Sequence, residues 1–340
     1  MSKCAQNAGR WAATPAEGPS RKPGYGTACA LRDVSLAFDA LRKILDPDDR
    51  QGVQKALHAN GQDLFRKLTV APEDDELALY DVAPPALGLA ALLLMSEERY
   101  YGDAKRWLDF AEQRVQALLS KRVSEIGHPL DSDFGAMIEL MRFLLPFTQA
   151  YKRYYAEDLI MGEGGNLSKL PSWIAHQFGL SRRGLLESGG LSVEELKSAA
   201  PLLAKLADTF RDGVAQWLLQ QISLDSATAR ARGDSVRSAP LMRLELPARF
   251  GLDSVLALAF YDPELSPVSP ATMLSPGARL SDPRAVVRSN WDEASPIVSL
   301  RGRHGTLPNV DLALSGMRVA FAISSRAFAT AGGEDVLGRV

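Results

Sequence analysis

From Thr27 to Leu45 apolar residues recur at helical spacing, at Leu31, Val34, Leu36, Phe38, Leu41, Ile44 and Leu45. That spacing lays them along one stripe of an α-helix. The DPDDR segment then announces a second helix: Asp46 suits an N-cap, Pro47 the first helical position, and Asp48 and Asp49 the positive end of the dipole. This helix is expected to reach about Leu68. Pro85 to Met95 is apolar all round and predicts a buried helix, and Glu97 to Leu119 is amphipathic through Trp107, Leu108, Phe110, Ala111, Val115 and Leu118. Gly135 to Tyr155 predicts a long helix bent or broken near Pro146.

A Gly-rich loop at Met161 to Gly165 is expected next, then a short helix around Trp173 to Phe178. Ser192 with Glu195 matches a capping box for a helix to about Thr209, followed by another over Asp212 to Ile222. Ser223 to Ser238 reads as an exposed polar loop and Asp253 to Tyr261 as a short helix. YDPELSPVSPATMLSPG then places four prolines in seventeen residues, an extended linker. Beyond it the period becomes strand-like, in AVVRS, PIVSL, VDLAL and RVAFAI. Four short strands make a poor free-standing sheet, so the β part resembles the beginning of a larger one.

Composition changes this picture little. Lys plus Arg number 39 against 41 Asp plus Glu, a formal charge of −2. That balance argues against nucleic-acid binding and against a polybasic membrane anchor. Ala83 to Met95, the best apolar run, is thirteen residues with two prolines, short of a membrane span. The first 26 residues lack the apolar core of a secretory signal and read as a flexible leader, so the expected compartment is cytoplasmic. Cys4 and Cys29 show no metal-binding spacing and read as free thiols. No metal or cofactor is expected, and oligomeric state is left open.

The order of elements and several phrases resemble the heparinase II/III-like family of polysaccharide lyases. ALRDVSLAFDALRKILDPDDR is similar to that family's early helix pair, and PPALGLAALLL to its buried helix. GLLESGG stands where members often read GDSG, and RDGVAQWLLQQI and ALAFYDPELSP resemble the end of its helical ring and the link beyond. RAVVRSNWDEASPIVSLRGRHG resembles its first sandwich strands. The resemblance implies an incomplete α/α toroid of paired helices followed by a short, incomplete antiparallel β-sandwich segment. The corresponding boundaries are a leader at 1–26, a toroid at 27–262, a linker at 263–283, β structure at 284–325 and a tail at 326–340. It also implies β-elimination on a uronate-containing acidic polysaccharide such as a glycosaminoglycan or alginate, by a family whose members are often exported.

The chain departs from the family in three phrases: ALYDVAP lacks the usual Asn-His or Asn-Trp pair, SEIGHPLDSDFGAM lacks the Tyr-rich phrase, and GTLPNVDLAL lacks its first histidine. A catalytically degenerate glycan-binding protein and a helical scaffold are the alternatives.

β-Elimination removes the proton on C5, beside a carboxylate, and expels the oxygen on C4. It needs donors that neutralise the carboxylate, a base, and an acid for the leaving oxygen. His128, in the loop GHPLDSD, is either such a base or neutralising group, or a plain surface-loop histidine. Tyr80, with Asp81 in the loop expected before the buried helix, is either the phenol acid/base or a residue closing a helix pair. Arg301, Arg303 and His304, flanked by glycines, are either the sandwich-side candidates, His304 as a catalytic group and the arginines as substrate binders, or a solvated turn whose charges balance local acids. Asn309 and Asp311 would support them. Trp173 and His176 are either a sugar-stacking wall or core residues, and His58 reads as structural.

Overall fold

The computed structural model describes residues 24–70, 77–130, 134–163, 165–181, 191, 193–223, 252–281, 284–291, 297–303, 306–314 and 317–322. The described chain is mainly helical and ends in a small antiparallel sheet. It forms two compact units: one from residues up to 122 together with 136–165, the other from 123–135 together with residues from 166 onward.

In the first unit α1 (Tyr25–Leu41) stops four residues short of the expected Leu45 and leaves Leu41 and Ile44 of the predicted stripe exposed, while α2 (Pro47–Val70) starts at the expected proline and runs two residues past Leu68. Asp46 accepts a hydrogen bond from Asp49 N at 2.8 Å, the local reason that α2 starts where it does. α3 (Leu77–Leu94) starts eight residues earlier than expected and carries Pro84 and Pro85 within it. Proline removes a helical N–H, yet residues 82–91 are buried throughout, and that packing outweighs the lost hydrogen bonds. Tyr80 and Asp81 therefore belong to the first turns of a helix and not to a loop, which corrects the expected setting of both.

A 3₁₀ turn (Glu98–Tyr100) leads into α4 (Tyr101–Lys121), and α5 (Phe134–Tyr155) runs on through Pro146. α3 packs against α1, α2 and α4. Two contacts are so close that only glycine fits. A Cβ on Gly61 of α2 would come within 2.5 Å of the buried Trp107 ring, and one on Gly88 of α3 within 2.3 Å of the buried Phe147 ring. Residues 161–163, expected to open a Gly-rich loop, instead end the short helix α6 (Leu159–Glu163).

The second unit contains the turn at 123–130, all but the first residue of a 3₁₀ segment (Gly165–Lys169), and α7 (Leu170–Ser181). The single helix expected up to Thr209 is two, α8 (Val193–Ser198) and α9 (Ala200–Phe210); Ser192 of the capping box lies outside the described residues. Asp212 Oδ1 accepts from Val214 N at 2.7 Å and Ala215 N at 3.0 Å, capping α10 (Gly213–Ser223). α11 (Leu252–Phe260) packs on α9, and α10 on α7 and α9. The expected loop at 223–238 falls almost wholly outside the described residues.

The proline-rich stretch carries one helical turn, α12 (Pro270–Met273), and is anchored where Val268 N donates to Gly213 O at 2.8 Å. It ends sooner than expected, because Gly277 already opens a strand. β1 (Gly277–Ser281), β2 (Arg284–Arg288), β3 (Ile297–Arg303), β4 (Thr306–Leu314) and β5 (Met317–Ala322) pair consecutively and antiparallel. Among the described residues no helix is long and apolar enough to cross a membrane.

Candidate functional site

Trp173 and His176 lie three residues apart on α7 and therefore share a helix face. Both are buried. His128 reaches Trp173 from the turn at 123–130, its ring edge-on with centroids 5.7 Å apart, and Phe134 lies 5.7 Å from the same indole. The turn is locked from several directions. Val123 bridges Pro129, Ser124 N donates to His128 O at 2.9 Å, and Ser124 Oγ accepts from His128 N at 3.1 Å. Asn166 Nδ2 holds Val123 O at 3.1 Å. Gly127 has φ 84°, and a Cβ there would approach Lys169 O to 2.5 Å. Glycine is thus required for both its backbone angle and its lack of bulk.

The sheet meets the same helix. Arg288, the last residue of β2, is 5% exposed, and its Nη2 lies 3.3 Å from His176 Nδ1 and 3.3 Å from His176 O. A guanidinium can only donate, so Nδ1 accepts and the proton of the neutral ring sits on Nε2. Burial, reinforced by the Arg288 charge, pushes the His176 pKa down to about 3. The Arg288 guanidinium also lies 3.9 Å from the centroid of the Trp291 ring, which is itself 4.8 Å from the His176 ring. Trp291 is half-buried, and its Nε1 donates to Leu274 O at 3.2 Å. Arg288 N is anchored to Pro276 O at 3.0 Å. A cation, a neutral imidazole and an indole are therefore held as one cluster by α7, β2 and the end of the proline-rich stretch.

His176 should make stability pH-dependent. The unfolded histidine takes a proton near pH 6.5 while the folded one does not until about 3. Its contribution is thus complete above pH 6.5 and is lost as pH falls toward 3, by at most about 1.4 kcal/mol per pH unit. His176→Gln should flatten this part of the pH profile of the urea midpoint. A variant whose acid limb matches that of the wild type would show that another group sets it.

The remaining predicted site residues are distributed as follows. Asp81 is in the first unit, ion-paired with Arg122. Burial raises its pKa, and the Arg122 charge only partly offsets that. Tyr80 lies beside it in α3, where only its backbone is described. Arg301 of β3 is in register with Arg284 of β2 and with Asn309 of β4, while Asp311 pairs with Ser299 and Arg303 with Thr306. His304 lies outside the described residues. Of the ten predicted site residues, the structure brings His128 to Trp173 directly, and His176 joins them through α7. The residues that sequence reasoning overlooked are Arg288 and Trp291, three positions apart in the RSNW phrase.

His58 behaves as expected of a structural histidine. It bonds Asp103 at 2.8 Å and stacks on Tyr100 and Trp107. Burial raises the phenols of Tyr151, Tyr155 and Tyr261, the opposite of what a tyrosine base needs. Among the described residues no three His, Cys, Asp or Glu side chains are grouped to hold a metal. Compared with protein-family models and with curated proteins, the chain matches none.

Proposed function

We propose that this chain is a polysaccharide-lyase-like protein that engages a uronate-containing acidic polysaccharide through the α7 face of its second unit. The observation that carries the proposal is Arg288, held against both the His176 ring and the Trp291 indole. Flat indoles suit pyranose faces, and a positive charge against the ring favours a sugar bearing a carboxylate. The sugar would touch Trp291 and His128, the two half-buried rings of the group, while Arg288 and His176 hold Trp291 and supply the field. The phrases resembling the heparinase II/III-like family support the same reading, together with its α/α toroid and β-sandwich.

In the elimination this resemblance implies, a base takes the C5 proton, the C4–C5 double bond forms, and the C4–O bond breaks as the leaving oxygen gains a proton. His128, whose half-buried ring lies edge-on to Trp173, is the base candidate for this step. Arg301, Arg303 and His304 would add donors from the sheet, and Tyr80 the acid.

A second reading, binding without turnover, is favoured by the buried, proton-refusing His176 and by the raised tyrosine phenols. One experiment separates the two. The folded chain is run in affinity gels containing heparan-type polymer, alginate or a neutral glucan, and the ultraviolet absorbance of unsaturated uronate is followed in parallel. Retardation by a uronate polymer with rising absorbance is the expected result of the lyase reading. Retardation alone supports binding, and neither would overturn both.

A further inference from the structure

The first unit contains a cavity of about 430 Å³ with no place in the polysaccharide proposal. Arg42 and Lys43, on the turn that follows α1, and Arg50, in the first turn of α2, line it together with Glu97. Three cations against one carboxylate leave two positive charges. The carboxylate is already engaged, because Glu97 Oε1 accepts from Gln54 Nε2 at 2.8 Å. Arg50 Nη2 donates to Leu45 O at 3.3 Å, whereas its buried Nε has no hydrogen-bond partner among the described residues.

The neighbouring acids do not fill this need. Asp39 reaches Arg42 only at 3.4 Å in an exposed pair, and Asp46 is turned to the backbone of Asp49. Phe38 and Leu93 add an apolar wall. The volume lies in the range of small-molecule sites.

We infer that this pocket binds the phosphate monoester of a small molecule, with the dianion on Arg42, Lys43 and Arg50 and its apolar part on Phe38 and Leu93. A carboxylate would satisfy one guanidinium fork, whereas a phosphate monoester carries about −1.5 to −2 charge at pH 7 and three acceptor oxygens. It therefore matches both the charge and the number of donors.

The test is calorimetric titration of the full chain with phenyl phosphate, benzoate and inorganic phosphate. Phenyl phosphate should bind saturably, about tenfold or more tighter than either comparator. Its affinity should drop as pH falls through about 6, where the second phosphate proton returns. Lys43→Gln, on an exposed residue that folding tolerates, should weaken it about tenfold, and Arg50→Gln by as much or more. Absence of binding, equal affinity for benzoate or inorganic phosphate, or indifference to both variants would overturn the assignment. The pocket and the polysaccharide face lie in different units, so the two proposals fail independently.

Discussion

Arg288→Ala should lower the stability of the second unit by about 3 kcal/mol or more. The truncation removes one donor that serves two acceptors on His176, strips the cation from the Trp291 ring, and leaves a hole where a side chain was 5% exposed. A buried imidazole nitrogen left without its donor costs about 1–3 kcal/mol, and the cavity left by the side chain adds a further loss of similar size. Arg288→Lys should rescue little, because an ammonium cannot both lie flat on the indole and serve the two acceptors. Native-state hydrogen exchange over α7 and β2 reads the effect locally. Unchanged protection in both elements would show that the cluster does not tie the sheet to the helix.

Gly88→Ala should be the most damaging single methyl in the first unit. The added Cβ would sit 2.3, 2.7 and 2.9 Å from three atoms of the Phe147 ring, which is fully buried and has no room to retreat. Alanine favours a helix over glycine by about 1 kcal/mol, but overpacking of this kind costs about 1–3 kcal/mol and here involves a rigid ring. A net loss of about 2 kcal/mol is expected. Phe147→Leu in the same background should recover part of it, giving a coupling of about 1 kcal/mol in a double-mutant cycle. Protection of α3 and α5 against hydrogen exchange is the readout, and a neutral or stabilising Gly88→Ala would mean that these helices do not touch at this point.

The helices α1 and α2 were legible because their apolar stripe and the Asp46 cap are local signals. The start of α3 was not: two prolines argue against a helix locally, and only burial of the residues around them overrides that. β1 was missed because GARLS is short and has no β-branched or aromatic residue; it is a strand through its pairing with β2. At the site, residue type and loop position were enough to single out His128, Trp173 and His176. The partnership of His176 with Arg288 spans 112 residues, and no local pattern in the RSNW phrase announces it. The basic cavity was masked for a different reason. Its cations alternate with aspartates in RKILDPDDR, so the segment reads as neutral until folding turns Asp46 to the backbone.

The most direct check is gel retardation of the folded chain and of its Trp291→Ala and His128→Ala variants by uronate polymers. The proposal predicts saturable retardation of the wild type by at least one such polymer and none by neutral glucan, with both variants moving faster. A well-folded wild type that no uronate polymer slows, or variants slowed as much as the parent, would contradict it.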